Sequence, residues 1–201
     1  MINNYLLGTI CSTLFLGVLF LIEYITRKNN YSREITRRLA HVLSGLFAII
    51  TGFILEPRVF TTFVVIFLVI ITLSYRGKFF SSIHNVKRKT YGEILLPMGI
   101  LLAFIVSDGA TPLYLASVLI LALSDPLAGI IGSMMQRKSK YGSLTFFISA
   151  LIILAIVFDG NQILVLISIA IVITGVERIS SLGTDNLTIP LVSALLLRFL
   201  F

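Results

Sequence analysis

The run Val64-Val65-Ile66-Phe67-Leu68-Val69-Ile70-Ile71 is apolar on every side, with neither the alternation of a half-buried strand nor the single stripe of a surface helix. Runs of this kind recur along the chain, and the backbone polar groups of such segments can be satisfied in lipid only within helices or closed barrels. A barrel needs alternating apolar and polar residues, which these runs lack. The fold expected is all-α: a polytopic integral membrane helical bundle forming a single transmembrane domain over residues 1–201. With 57% hydrophobic and 12% charged residues and a mean hydropathy of +1.03, the composition excludes an ordinary soluble domain.

Eight runs read as spans: Tyr5–Ile25, Ala40–Leu55, Phe60–Tyr75, Glu93–Val106, Leu113–Met135, Ser143–Phe158, Ile163–Ile179 and Ile189–Phe201. Several fall short of the ~20 residues of a simple span, so some are expected to be tilted, broken or re-entrant, and the expectation is seven to eight spans. The basic residues set the orientation. With the N-terminus outside, only Arg58 and Arg198 of the 16 lysines and arginines fall on the outer side, and all others face the cytoplasm, as the positive-inside bias requires. The first run has no basic residue before it and Arg27-Lys28 after it, the reverse of a cleavable signal peptide. A net charge of +7 is explained by short cytoplasmic loops and anionic lipid, so nucleic acid is not an expected partner. The single cysteine, Cys11, offers neither an intrachain disulfide nor a cysteine metal cluster.

Against this background the polar residues inside apolar runs carry the functional signal. Asp125-Pro126 sits in the middle of the fifth run, and a carboxylate at membrane depth is costly enough to mark a functional site by default. Proline lacks an N–H and clashes with the preceding turn, so a broken helix is expected here, with Asp125 as N-cap and Pro126 in the first helical position. Such a restart would aim free N–H groups at a phosphate. Arg37 and His41, four residues apart, share one helical face, with Arg38 offset. Lys87-Arg88-Lys89 precede Gly92-Glu93 at the entrance to the fourth span, a candidate phosphate and metal subsite. Lys138 follows the Asp125 helix and can reach phosphates there. Gly132 through Ser139 imitates a Walker A loop, but Arg137 replaces its second glycine, so the nucleotide P-loop reading fails. Asp185 and Asn186 supply hard oxygen ligands, and with Asp125 and Glu177 they offer enough carboxylates to clamp Mg²⁺ against a polyphosphate. Each element also has a structural reading: a proline kink, topology-setting arginines, a satisfied histidine, an Asx turn. Together they describe a polyanion site open to the cytoplasm, serving either a nucleotide-using lipid enzyme or an anion carrier.

In this order the motifs resemble those of the CTP-dependent lipid-alcohol kinases, which include dolichol kinase, phytol kinase and the fungal-type diacylglycerol kinase and are related to phosphatidate cytidylyltransferases. The likeness runs from Glu34 to Pro190. Arg37, Arg38 and His41 match the family's Arg-Arg/Lys-x-x-His element, and Arg88 to Glu93 its Arg-Lys-Ser/Thr-Tyr-Gly-Glu element. Asp125, Ala128 and Gly132 match the Asp-x-x-Ala-x-x-x-Gly helix, and Gly183, Asp185, Asn186, Leu187 and Pro190 match the Gly-x-Asp-Asn-Leu-x-x-Pro ending. One position departs: Tyr141 stands where the family has an acid. The resemblance implies transfer of the γ-phosphoryl group of CTP to a membrane lipid hydroxyl, or in the sister reaction of CMP to phosphatidate. It implies Mg²⁺ on Asp125 and Asp185, with Glu177 as an alternate ligand, and phosphates on Arg37, Arg38, Arg88 and Lys138. Gly129, Gly132 and Asn186 complete the nucleotide subsite, and His41, Asp125 or Glu93 takes the hydroxyl proton.

Overall fold

A computed structural model describes residues 3–29, 31–77, 91–135, 140–160 and 162–201. Among the described residues there are eight helical rods. They are α1 (Asn4–Lys28), α2 (Arg33–Ile54), α3 (Pro57–Gly77), α4 (Gly92–Val106), α5 (Pro112–Met134), α6 (Lys140–Val157), α7 (Ile163–Ile179) and α8 (Asp185–Leu200). Five of them, α1, α2, α3, α5 and α6, are long and apolar enough to cross a membrane, which supports an integral membrane protein. The helix ends follow local chemistry. The Asn3 side chain caps the Tyr5 N–H of α1, whose last turn carries Arg27 and Lys28, favourable at the negative end of the dipole. Thr111 caps α5 with Pro112 in its first turn. One boundary differs from the sequence reading in a way that matters. α2 begins at Arg33 rather than near Ala40, so Arg37 and Arg38 ride on the same continuous helix as His41.

α5 is the hub. Of its most apolar stretch 56% is buried, against 22% for α1 and for α3, and its Tyr114, Ile120 and Leu121 are wholly enclosed. Around it the core is built from Phe146 and Leu154 of α6, Leu166, Ile169 and Ile173 of α7, and Ile189 and Leu197 of α8. α4 and α8 approach so closely that a Cβ on Gly99 would collide with the Asn186 carbonyl and press on Pro190. Small residues at such contacts let membrane helices pack backbone to backbone. At one end of the bundle Arg198 pairs with Asp108 at 2.8 Å and also donates to the Val106 carbonyl, tying α8 to the end of α4.

The helix does not restart at Asp125. Ser124 and Asp125 both hold right-handed helical dihedrals, and residues Ile120–Ser124 form a π-helical segment that runs directly into the rest of α5. Asp125 is therefore not an N-cap, and no exposed N-terminal turn is available to cradle a phosphate. The proline is accommodated by a change of register inside one rod, a recognised alternative to a break.

Candidate functional site

The π segment defines the site. In that register each carbonyl is served by the N–H five residues on, and for Leu121 that residue is Pro126, which has none. His41 of α2 fills the gap: its Nε2 lies 3.0 Å from the Leu121 carbonyl oxygen. A carbonyl can only accept, so Nε2 carries the hydrogen, and Nδ1 of the neutral ring is left as an acceptor. α2 can lie this close because Gly45, one turn beyond His41, faces Ala122, where a Cβ would collide with the alanine methyl. One turn toward the N-terminus of α2, Arg38 donates to the Pro126 carbonyl at 2.9 Å and pairs with Glu34 at 2.9 Å. Its guanidinium occupies the space that a side chain at Gly129 would need.

Gly129 and Gly132, expected to lie beside a phosphate at a helix start, thus have packing roles. Gly129 makes room for Arg38. The Gly132 Cα lies 3.7 Å from where a Cβ on Gly142 of α6 would stand, at the close contact between α5 and α6.

Arg37 reaches Glu34 at 3.2 Å, while its Nε is buried and meets no acceptor among the described residues. Arg37 and His41 line one cavity together with Glu93 of α4 and Asn186 of α8. Asn186 is itself fixed: its side-chain amide donates to the Gly92 carbonyl at 2.7 Å, its backbone N–H donates to Asp185 Oδ1 at 2.9 Å, and the Tyr91 N–H donates to the Leu182 carbonyl at 2.9 Å. These bonds pin the start of α4, and with it Glu93, to the start of α8.

The three remaining acids converge from different helices. Asp125 feels Arg37, Arg38 and Glu34; Asp185 feels Asp125, His41 and Arg37; and Glu177 feels both Asp125 and Asp185 while receiving a long 3.5 Å contact from the Ser143 hydroxyl. Among the described residues, no three His, Cys, Asp or Glu side chains form a ready-made metal-ligand group. Mg²⁺ commonly binds one or two carboxylates and completes its shell with substrate phosphates and water, so Asp125 and Asp185 are of the right chemical kind for it. Arg88 and Lys138 lie outside the described residues.

Glu34 was not among the residues marked as functional, although it holds both arginines. The signal was available in its spacing of three and four residues from Arg37 and Arg38.

One comparison bears on what such a site does. The chain is 29% identical to the phytol kinase of Synechocystis sp. (strain ATCC 27184 / PCC 6803 / Kazusa) over 201 residues, 90% of this chain and 86% of that protein. No protein-family model and no solved structure matches the chain. Similarity of this extent to a kinase supports a membrane phosphotransferase that acts on an alcohol.

Proposed function

We propose that this protein is a kinase that transfers the γ-phosphoryl group of CTP to the hydroxyl of a membrane lipid alcohol of the isoprenoid kind. The observation that carries the reading is the meeting, in one cavity, of Arg37, whose Nε meets no acceptor among the described residues, and two candidate proton acceptors, His41 and Glu93, in a chain similar along most of its length to a phytol kinase. Phosphoryl transfer is largely a matter of positioning and charge stabilisation. Arg37 would bind phosphate oxygens as they gain charge, and Arg38, tied to the Pro126 carbonyl, would hold α2 against α5 while adding to the positive field. The alcohol oxygen attacks the γ-phosphorus, the bond to the β-phosphate oxygen breaks, CDP leaves, and the hydroxyl proton passes to His41 Nδ1 or Glu93. Asp125 and Asp185 would hold Mg²⁺, with Glu177 as the alternate ligand, and the ion when bound would neutralise charge on the β- and γ-phosphates. We further place the bundle in the membrane as seven to eight spans, with the N-terminus outside and the site facing the cytoplasm, where nucleotide is found.

The test is label transfer by purified protein in lipid–detergent micelles, with phytol as acceptor. γ-Labelled CTP should yield labelled phytyl phosphate, with ATP a poorer donor. Label from α-labelled CTP appearing in a CDP-lipid would replace the kinase with a cytidylyltransferase. No transfer from either nucleotide, with labelled phosphorylated lipid crossing a vesicle membrane instead, would make the protein a carrier.

A further inference from the structure

A second groove, open along one side, lies between α1, α2, α3 and α4. Its wall on α2 is a single stripe: Ser44, Phe47, Ala48, Thr51 and Leu55. At 1.5 Å per residue that stripe is about 16 Å long, roughly half of a ~30 Å hydrocarbon core. No charged side chain lines the groove, and the hydroxyl of Thr51 is already spent on the Phe47 carbonyl at 2.8 Å. The stripe ends at Leu55 and Phe60, where Phe60 lies tilted against Phe104 at 4.4 Å and meets the edge of Tyr114. Its other end leads toward the site. Ser44, Phe67 and Leu96 belong both to this groove and to the cavity that holds Arg37, His41 and Glu93.

We infer that this groove is the binding site for the hydrocarbon tail of the acceptor. The groove and the polar cavity are continuous through Ser44, Phe67 and Leu96, so a tail seated along the α2 stripe brings its hydroxyl end past Ser44 into the cavity where phosphoryl transfer is proposed. The inference rests on the kinase reading for its chemistry but not for its geometry.

Two measurements test it together. Thr51→Phe fills the middle of the groove; Leu73→Phe adds the same ring to the exposed face of α3 as a control. For wild type and the control, kcat/KM should be higher for a twenty-carbon branched alcohol than for a ten-carbon one. For Thr51→Phe the twenty-carbon alcohol should lose about tenfold or more relative to the ten-carbon alcohol, given what a methylene or two is worth in such pockets. Equal loss for both alcohols, or no loss, would overturn the inference while leaving the kinase standing. The second measurement needs no turnover. A twenty-carbon alcohol carrying a diazirine on its tail should crosslink wild-type protein within residues 44–55 and 60–70, with labelling suppressed by the unlabelled alcohol. Labelling spread over lipid-facing residues and not suppressed by the alcohol would show ordinary bilayer solvation and sink the proposal, even if no phosphorylated product were ever detected.

Discussion

His41 does two jobs that a substitution can separate. Its Nε2–H satisfies the Leu121 carbonyl, and losing that donor would leave a buried acceptor unpaired at a cost of about 1–3 kcal/mol. Its Nδ1 is the only part available for proton transfer. His41→Ala should therefore lower the melting temperature in detergent and abolish transfer, whereas His41→Gln, whose amide can still donate to Leu121, should recover most of the stability and little of the activity. Recovery of both would remove the histidine from the proton pathway. Asp125 is the converse case, for among the described residues its side chain makes no hydrogen bond or ion pair, and it lies in the field of Arg37, Arg38 and Asp185. Asp125→Asn should leave melting nearly unchanged and cut kcat by about 10²–10³, the scale on which a single preorganised electrostatic group acts, and should weaken the dependence on Mg²⁺ concentration. An active Asp125→Asn would displace the proposed metal site.

The elements show what sequence reasoning could reach and where it stopped. Helix identity was legible from uniformly apolar runs, and α7 appears at the same residues in both readings, Ile163–Ile179. The shared face of Arg37 and His41 was legible from their spacing, because four residues on a helix is one turn. The fate of Pro126 was not. Proline announces a missing N–H, but whether the helix breaks or shifts register depends on who takes the orphaned carbonyl, and the taker, His41, is 80 residues away in the chain. In the same way Gly129 invited a phosphate when read beside Asp125, while its neighbour in space is Arg38. These lessons give a prediction for α5 itself. Pro126→Ala would supply an N–H in competition with His41 for the Leu121 carbonyl or allow a plain α-helix, so the variant should melt at the same or a higher temperature while losing activity, the trade-off expected where a site stores backbone irregularity. A Gly129→Ala change should act from the other side, pushing the Arg38 guanidinium off the Pro126 carbonyl; loss of that charge-assisted bond is worth about 1.5–3 kcal/mol, readable as a lowered melting temperature.

Which end of the bundle faces the cell interior decides whether the site can meet a nucleotide. The helices that carry the site come from every part of the chain, α2, α4, α5, α7 and α8, and their polar residues gather away from the end where Arg198 meets Asp108. The proposed nucleotide substrate would require the site to open to the cytoplasm, the side on which the sequence-derived topology sets 14 of the 16 lysines and arginines. Cys11 is the single cysteine, so a Cys11→Ser background gives a clean reporter at any chosen position. Arg58→Cys, in the exposed first turn of α3, and Ser181→Cys, in the exposed link before α8, stand on opposite sides of the sequence-derived topology. In intact cells an impermeant maleimide should modify the cysteine at position 58 and spare the one at 181, and permeabilisation should make both reactive. The reverse pattern would turn the bundle over and place Asp125, Asp185 and the arginines where no CTP is supplied, which would end the kinase reading without touching the fold. Protection of position 181 by added CTP and Mg²⁺ after permeabilisation, with no protection at 58, would connect the topology to the site, because Leu182 beside it and Asn186 shortly after it are bonded to the start of α4.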